Sequence, residues 1–262
     1  MGMKRVIIAG AIFSLTNISF AMADIKVVTS IKPVHSLVSG VMVGVGVPSL
    51  IIDGAGSPHT YSLKPSQAQQ LQDAKLVFWM GDELETFLEG PIENIAQNAT
   101  AIKLIDAHGL KKMKFREGGM FDDHGHDDHD EHDHDDHGHE KHDDHDDEKH
   151  AKKEHDDHGD HDGHDDHGHG EFDPHVWLDP INAKAIVHEI EEALVKADPE
   201  HASTYEANAH KMMDKIDSLT AELREELEPV HEKGFIVFHD AYQYFEQRFD
   251  SAAIGSITVS PE

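Results

Sequence analysis

Between Asp122 and Glu171 the chain carries a stretch that no folded core can use. It begins DDHGHDDHDEHDHDDHGHEKHDDHDDEKH and continues likewise to HDDHGDHDGHDDHGHGE. It has no apolar periodicity and almost nothing to bury, so packing cannot offset the entropy lost on ordering it. Residues 122–171 are therefore expected to be a disordered insertion, and the foldable chain lies on either side.

Sixteen of the chain's 25 histidines fall in that insertion: His124, His126, His129, His132, His134, His137, His139, His142, His145, His150, His155, His158, His161, His164, His167 and His169. They alternate with 23 Asp or Glu against four Lys, a net of −19 within a chain total of −30. Imidazole nitrogens and carboxylate oxygens on a string form a ligand set for divalent transition-metal ions. These sixteen residues are candidate auxiliary metal ligands. An acidic run alone reads more plainly as a solvated loop, but a histidine at about one position in three favours metal capture. Phosphate would be repelled by such a chain, which argues against a nucleic-acid partner. Only neutral imidazole binds metal, so affinity should fall as pH drops below an ordinary histidine pKa of about 6.5.

Residues 1–23 have the layout of a cleaved signal peptide. Lys4 and Arg5 form a basic start, Val6 to Leu15 an apolar run, and Ala21-Met22-Ala23 an A-x-A cleavage site before Asp24. The run is too short for a spanning helix and is broken by Thr16 and Asn17. The chain has no cysteine, hence no disulfide and no lipid-bearing Cys at the cleavage site. An exported chain without an anchor points to the periplasm, with extracellular secretion as the alternative.

Outside leader and tract, short apolar runs alternate with helical patterns. Ile25–Thr29, Leu50–Ile52, Leu76–Met80 and Ala101–Ile105 are predicted strands. Pro33–Val43, Ser66–Ala74 (capped by Ser66) and Leu84–Gln97 are predicted helices. Such alternation implies a parallel sheet covered on both faces. After the tract, Asp179-Pro180 is an N-cap followed by Pro at the first helical position. The helix it opens buries Ile186, Ile190, Ala193, Leu194 and Ala197. A second helix over about Ser203–Glu228 carries Tyr205, Ala209, Met212, Ile216, Leu219, Leu223 and Leu227 on one stripe. Its length of roughly 39 Å suits a rigid connector between two lobes. A strand at Phe235–Phe238, a helix at Ala241–Arg248 and a strand at Ala253–Val259 follow. So short a piece cannot form a lobe alone: either it packs on the first sheet or, the favoured expectation, the second lobe is incomplete from C-terminal truncation.

Nine histidines remain: His35, His59, His108, His175, His188, His201, His210, His231 and His239. His188, His201, His210 and His231 fall on polar helix faces or ends, His108 in a Gly-flanked loop, and His35 at a helix start. His59 follows the second strand, His175 lies just before a helix in D-P-H-V-W-L-D-P, and His239 directly follows the Phe235–Phe238 strand. Loops at the carboxyl ends of parallel strands are where α/β folds bind ligands. Three imidazoles suit tetrahedral zinc with a fourth position for water or a carboxylate, whereas manganese prefers more oxygen. Each ring needs an acceptor for its other N–H, and Asp173 and Asp240 are the candidates. No H-E-x-x-H, nucleophile elbow, P-loop or dinucleotide fingerprint occurs, so an enzyme is not expected.

The signal peptide, S-P-H-x-Y-S-L-K-P-S, the His/Asp-rich insertion, D-P-H-V-W-L-D-P and F-H-D-A-Y-x-Y-F, in this order, resemble the zinc-specific substrate-binding proteins of bacterial ABC importers, the ZnuA type. The likeness runs over residues 24–262. It implies an α/β fold of two lobes, each a mainly parallel sheet flanked by helices, joined by a long helix. The lobes would be residues 24–200 with the insertion, a connector over 201–228, and the start of a second lobe at 229–262. It implies Zn²⁺ as transported cargo held by His59, His175 and His239. The partners it implies are zinc ions and an ABC permease in the inner membrane, and the chain is expected to be a monomer. Some relatives place an acidic residue just before the first histidine, where this chain has Pro58. Others use a carboxylate nearer the C-terminus, beyond Glu262. The tract would be a zinc collector or sensor. A metal buffer, or the same fold serving manganese, iron or nickel, is the alternative reading.

Overall fold

The computed structural model describes residues 25–116 and 171–258. The expected leader, the tract with its sixteen histidines, and the last four positions lie outside the described residues.

Four strands form the first sheet: β1 (Val27–Thr29), β2 (Ser49–Leu50), β3 (Leu76–Trp79) and β4 (Thr100–Lys103). They lie in the order β2-β1-β3-β4, and every pairing is parallel. Every residue of β1 and of β3 is buried, in accord with the unbroken apolar run of β3: both faces of the sheet are covered. The β1–β2 crossover carries α1 (Lys32–Val41). The return across the sheet carries α2 (Pro65–Asp73) and then α3 (Thr86–Asn94). With right-handed crossovers, a reversal of direction puts α1 on one face and α2 with α3 on the other. In accord with this, α2 packs on α3, while α1 packs on α4 (Pro180–Ala197) and α5 (Ala202–Leu227).

Several element boundaries depart from expectation, among them those of α2, α3 and β2. The helix expected from a Ser66 cap begins at Pro65 instead, because proline's fixed φ and missing N–H fit the first helical position. Lys64 N–H donates to Gln67 Oε1 (2.8 Å) and so closes that end. The α3 helix spans only Thr86–Asn94 and contains Pro91, which cannot donate back to the preceding turn. At β2, Ile51 and Ile52 lie beyond the strand, yet their N–H groups still bond to Thr29 and Ser30 carbonyls (2.9 Å each).

The α4 helix starts as its sequence requires. Asp179 caps it, accepting from Ile181 N–H (2.9 Å), with Pro180 next. Ile186, Ile190, Ala193 and Leu194 are buried. The 26-residue α5 buries Tyr205, Asn208, Ala209 and Ile216, but Leu219 is half exposed. Its apolar stripe therefore outruns the first sheet's core. The same helix goes on to contact α6 (Gln243–Phe249).

Strands β5 (Phe235–Val237) and β6 (Ala253–Ser256) form a separate two-stranded parallel sheet, with α6 as their crossover. The β5-α6-β6 unit does not extend the first sheet. It docks through α6, whose Tyr244 joins the large buried cluster. Arg248 grips Asp179 with two bonds of 2.7 Å, so the residue that caps α4 also holds α6.

Candidate metal centre

Four loop segments meet where the two parallel sheets present their carboxyl ends. Beyond β1 the chain supplies Ile31 to Pro33, and beyond β2 it supplies Ile52 and Gly54 to His59. Before α4 it supplies His175, Trp177 and Leu178, and beyond β5 it supplies Phe238, His239, Ala241 and Tyr242. Together they line a cavity of about 440 Å³. The site lies outside the carboxyl ends of the strands, where open α/β sheets bind ligands.

His59, His175 and His239 converge there. One ring nitrogen from each lies within 4.8 Å of the other two. Ring centroids are 5.9 Å apart for His59–His175, 6.3 Å for His59–His239 and 5.5 Å for His175–His239. Among the described residues, this is the group of three or more His, Cys, Asp or Glu side chains whose donor atoms come so close. Tetrahedral zinc at about 2.0–2.1 Å from nitrogen needs N···N separations of roughly 3.3 Å. Rotamer adjustments of an ångström or so would reach that spacing.

Each ring is positioned differently. His59 sits in the turn after β2, where its N–H donates to Ser57 Oγ (3.3 Å). His175 is buried and begins a 3-10 turn over Val176–Leu178. Its Nδ1 lies 2.6 Å from Asp173 Oδ1, and its backbone N–H donates to the same oxygen (2.9 Å). A carboxylate cannot donate, so Nδ1 carries the proton and Nε2 is the free ligand atom. His239 Nε2 is buried with no hydrogen-bond partner among the described residues. Burial, helped by the charge of His175, holds the His239 pKa below the ordinary 6.5 and outweighs the opposing pull of Asp173. The ring is thus kept neutral, the form that can bind a metal ion.

Asp173 fills the accepting role expected of it, and Asp240 does not. Asp240 Oδ2 instead faces Arg116 Nε at 3.5 Å, while its Oδ1 is buried without a hydrogen-bond partner among the described residues. Burial raises the Asp240 pKa, with Arg116 offsetting part of the rise. Four of the other described histidines are drawn elsewhere. His35 Nε2 bonds to Pro48 O (3.2 Å), His201 Nδ1 to Asp198 (2.9 Å) and His231 Nδ1 to Glu228 O (2.7 Å). His188 lies beside Glu191 (3.4 Å).

Behind the histidines lies a polar lattice that the sequence alone did not indicate. Tyr244 accepts from Met113 N–H (2.8 Å) and lies 2.8 Å from Asp173 O. Arg116 pairs with Glu246 (2.6 Å), and Gln243 donates to Asp173 Oδ2 (2.6 Å). An antiparallel bridge between Lys114 and Phe172 joins the segments on either side of the tract. These partners are some 70 to 130 positions apart, a distance at which no local pattern signals contact.

Comparison with known proteins agrees with this architecture. The family model ZnuA, zinc-uptake complex component A, periplasmic, matches residues 27–262. The high-affinity zinc uptake system protein ZnuA of Brucella abortus is 53% identical over 238 residues, covering 90% of this chain and 68% of that protein. Among solved structures, a ZnuA crystal structure superposes with a TM-score of 0.65 at 21% identity, covering 91% of this chain and 72% of its own. A Mn-bound periplasmic metal binding protein from Candidatus Liberibacter asiaticus gives 0.60 at 19%, covering 87% and 67%. Likeness at such low identity speaks for the fold, whereas the match in sequence extends over nearly the whole chain. By that match the chain belongs to the ZnuA family of periplasmic zinc-uptake components.

Proposed function

We propose that this chain captures Zn²⁺ in the periplasm and delivers it to an ABC-type importer of the inner membrane. The ion would be held by His175 Nε2, His239 Nε2 and one ring nitrogen of His59, with water or a carboxylate in the fourth position. The observation that carries this reading is the approach of three imidazoles from three separate loops to within 4.8 Å.

The donor chemistry supports zinc. The family fold alone does not choose the metal, since a manganese-bound protein shares it. A cluster of three nitrogens suits zinc, while manganese favours oxygen-rich sites. Burial keeps His239 neutral, and the Asp173 bond aims His175, before any ion arrives. Capture then requires shedding water and closing the rings onto the ion, not creating the site.

The rest of the reading follows from the sequence. Residues 1–23 would be a cleaved signal peptide, leaving a mature chain without lipid. Residues 24–200 and the segment from 229 would be two lobes joined by the helix over 201–228. The sixteen tract histidines would hold further ions weakly and act as a collector or sensor. The protein would work as a monomer and perform no catalysis, since carrying an ion needs only binding and release.

Competition against a high-affinity chelator tests the assignment. The H59A/H175A/H239A variant should lose the tightest zinc site while weaker sites remain. Deletion of residues 122–171 should remove the weaker sites and leave the tightest. If the tightest site survives the triple substitution, a tract-centred metal buffer is the correct reading instead. If manganese outcompetes zinc at neutral pH, the cargo is wrong.

A further inference from the structure

We infer that Gln243 is a positioning residue for the metal centre, acting through Asp173 to fix the orientation and tautomer of His175; this rests on the zinc-capture reading above. Gln243 comes from α6, on the far side of the cleft from His175 in the fold, and is buried. Its amide Nε2 donates to Asp173 Oδ2 (2.6 Å) and lies 3.1 Å from Lys114 O.

Asp173 is almost wholly buried, at 1% exposure, so both carboxylate oxygens need donors from the protein. Oδ1 takes the two His175 N–H groups, and the Gln243 amide serves Oδ2. A carboxylate held at both ends cannot rotate about its last torsion. Its Oδ1 therefore stays in line with His175 Nδ1–H, and Nε2 is aimed at the cleft. Without the amide, the buried Oδ2 loses the side-chain donor it has here. The carboxylate then turns to find a donor, and the imidazole loses the contact that selects its tautomer.

The donor is also of the right charge. A lysine or arginine at this place would neutralise Asp173 and weaken its pull on the imidazole proton. A neutral amide fixes the carboxylate and leaves that pull intact. Neighbouring Tyr244 acts elsewhere, since its hydroxyl meets the Asp173 backbone carbonyl and the Met113 N–H, never the carboxylate. The two adjacent residues thus separate backbone docking from side-chain aim. Because Gln243 belongs to the same unit as His239, correct aim of His175 depends on that unit being docked.

The test compares Gln243→Met with Tyr244→Phe in the full chain. Long-range ¹H–¹⁵N correlation of the metal-free protein above pH 8 reports the imidazole tautomer, with His175 assigned by difference against H175Q. Wild type and Y244F should show His175 as the Nδ1–H form, and Q243M should show a mixture of both. Zinc affinity of the tightest site, read by chelator competition, should fall about tenfold or more in Q243M. If Q243M fails to fold by near-ultraviolet circular dichroism, Gln243→Asn, one methylene short of Asp173, carries the same expectation. An unchanged His175 tautomer in the folded variant overturns the inference, as does equal loss of affinity in Q243M and Y244F with both tautomers intact. The tautomer is read without metal, so its outcome stands apart from whether the three histidines bind zinc.

Discussion

Glu85 offers a sharp test of how burial is balanced in this fold. Its side chain is fully buried beneath the turn that follows β3, accepting from Met80 N–H (2.7 Å) and Gly81 N–H (3.1 Å) through one oxygen. Burial raises its pKa from 4.5 to about 7, against the lowering effects of the Ser30 hydroxyl and the two backbone N–H groups. A folded-state pKa above the unfolded one means the native state prefers the protonated form. The associated stability is complete below pH 4.5 and is lost as pH rises through about 7. A rise of that size, at about 1.4 kcal/mol per unit, is worth roughly 3 kcal/mol. Glu85→Gln keeps the shape and an acceptor for both N–H groups but removes the ionisation. Any cost from the altered hydrogen bonds is independent of pH, so it cancels when one pH is compared with another. Urea denaturation of both proteins should therefore show the Gln variant gaining about 3 kcal/mol on wild type between pH 4.5 and 8, equivalent to roughly 10 °C in Tm for a domain of this size. A stability difference that stays flat across that interval would falsify the account of Glu85 as a buried acid that ionises at a penalty.

Two further expectations concern the cleft. Asp173→Asn leaves a similar shape but weakens the acceptor that holds His175, so the zinc dissociation constant of the tightest site should rise about 10- to 100-fold, measured by chelator competition. Lowering the pH from 7.5 to 6 should release ions from the tract before the cleft: an ordinary imidazole protonates near about 6.5, while burial keeps His239 neutral to lower pH. Equilibrium dialysis at a series of pH values should show stoichiometry falling toward one before the last ion leaves.

What the sequence disclosed well was whatever depends on local pattern. The buried strand Leu76–Trp79 is an unbroken apolar run, and the Asp179-Pro180 start of α4 is chemistry confined to two neighbouring residues. Three loop histidines stood out because loops after parallel strands have a predictable place in the fold, and they do come together. Asp173 was legible for a similar reason: two residues from His175, it had only to turn toward it. Asp240 is still nearer to a histidine in sequence, yet its Oδ2 faces Arg116, which is distant in sequence. Gln243, Tyr244 and Arg248 were invisible as supports because their partners are set by how α6 docks. The long helix shows the same division. Its stripe is periodic to Leu227, but Ile216 is its last buried residue, and periodicity cannot say where the neighbouring core stops.

The two sets of ligands differ in what bears the cost of ordering. In the cleft, His175 is held by Asp173, the carboxylate is held by Gln243, and the loops are pinned by Tyr244 and by the Arg248–Asp179 pair. Folding has already fixed these groups, so an ion meets imidazoles that need only small adjustments. In the tract the donors are more numerous, but the sequence provides nothing for them to pack against. On the zinc-capture proposal, each ion bound there would have to order the chain segment that wraps it, and that entropy would be subtracted from the affinity. Equal donor chemistry would then yield unequal sites, many and loose on one side, single and tight on the other. Ions collected along the tract would run downhill into the cleft without any conformational signal. The gradient follows from preorganisation alone, and it vanishes if the scaffold behind His175 is loosened.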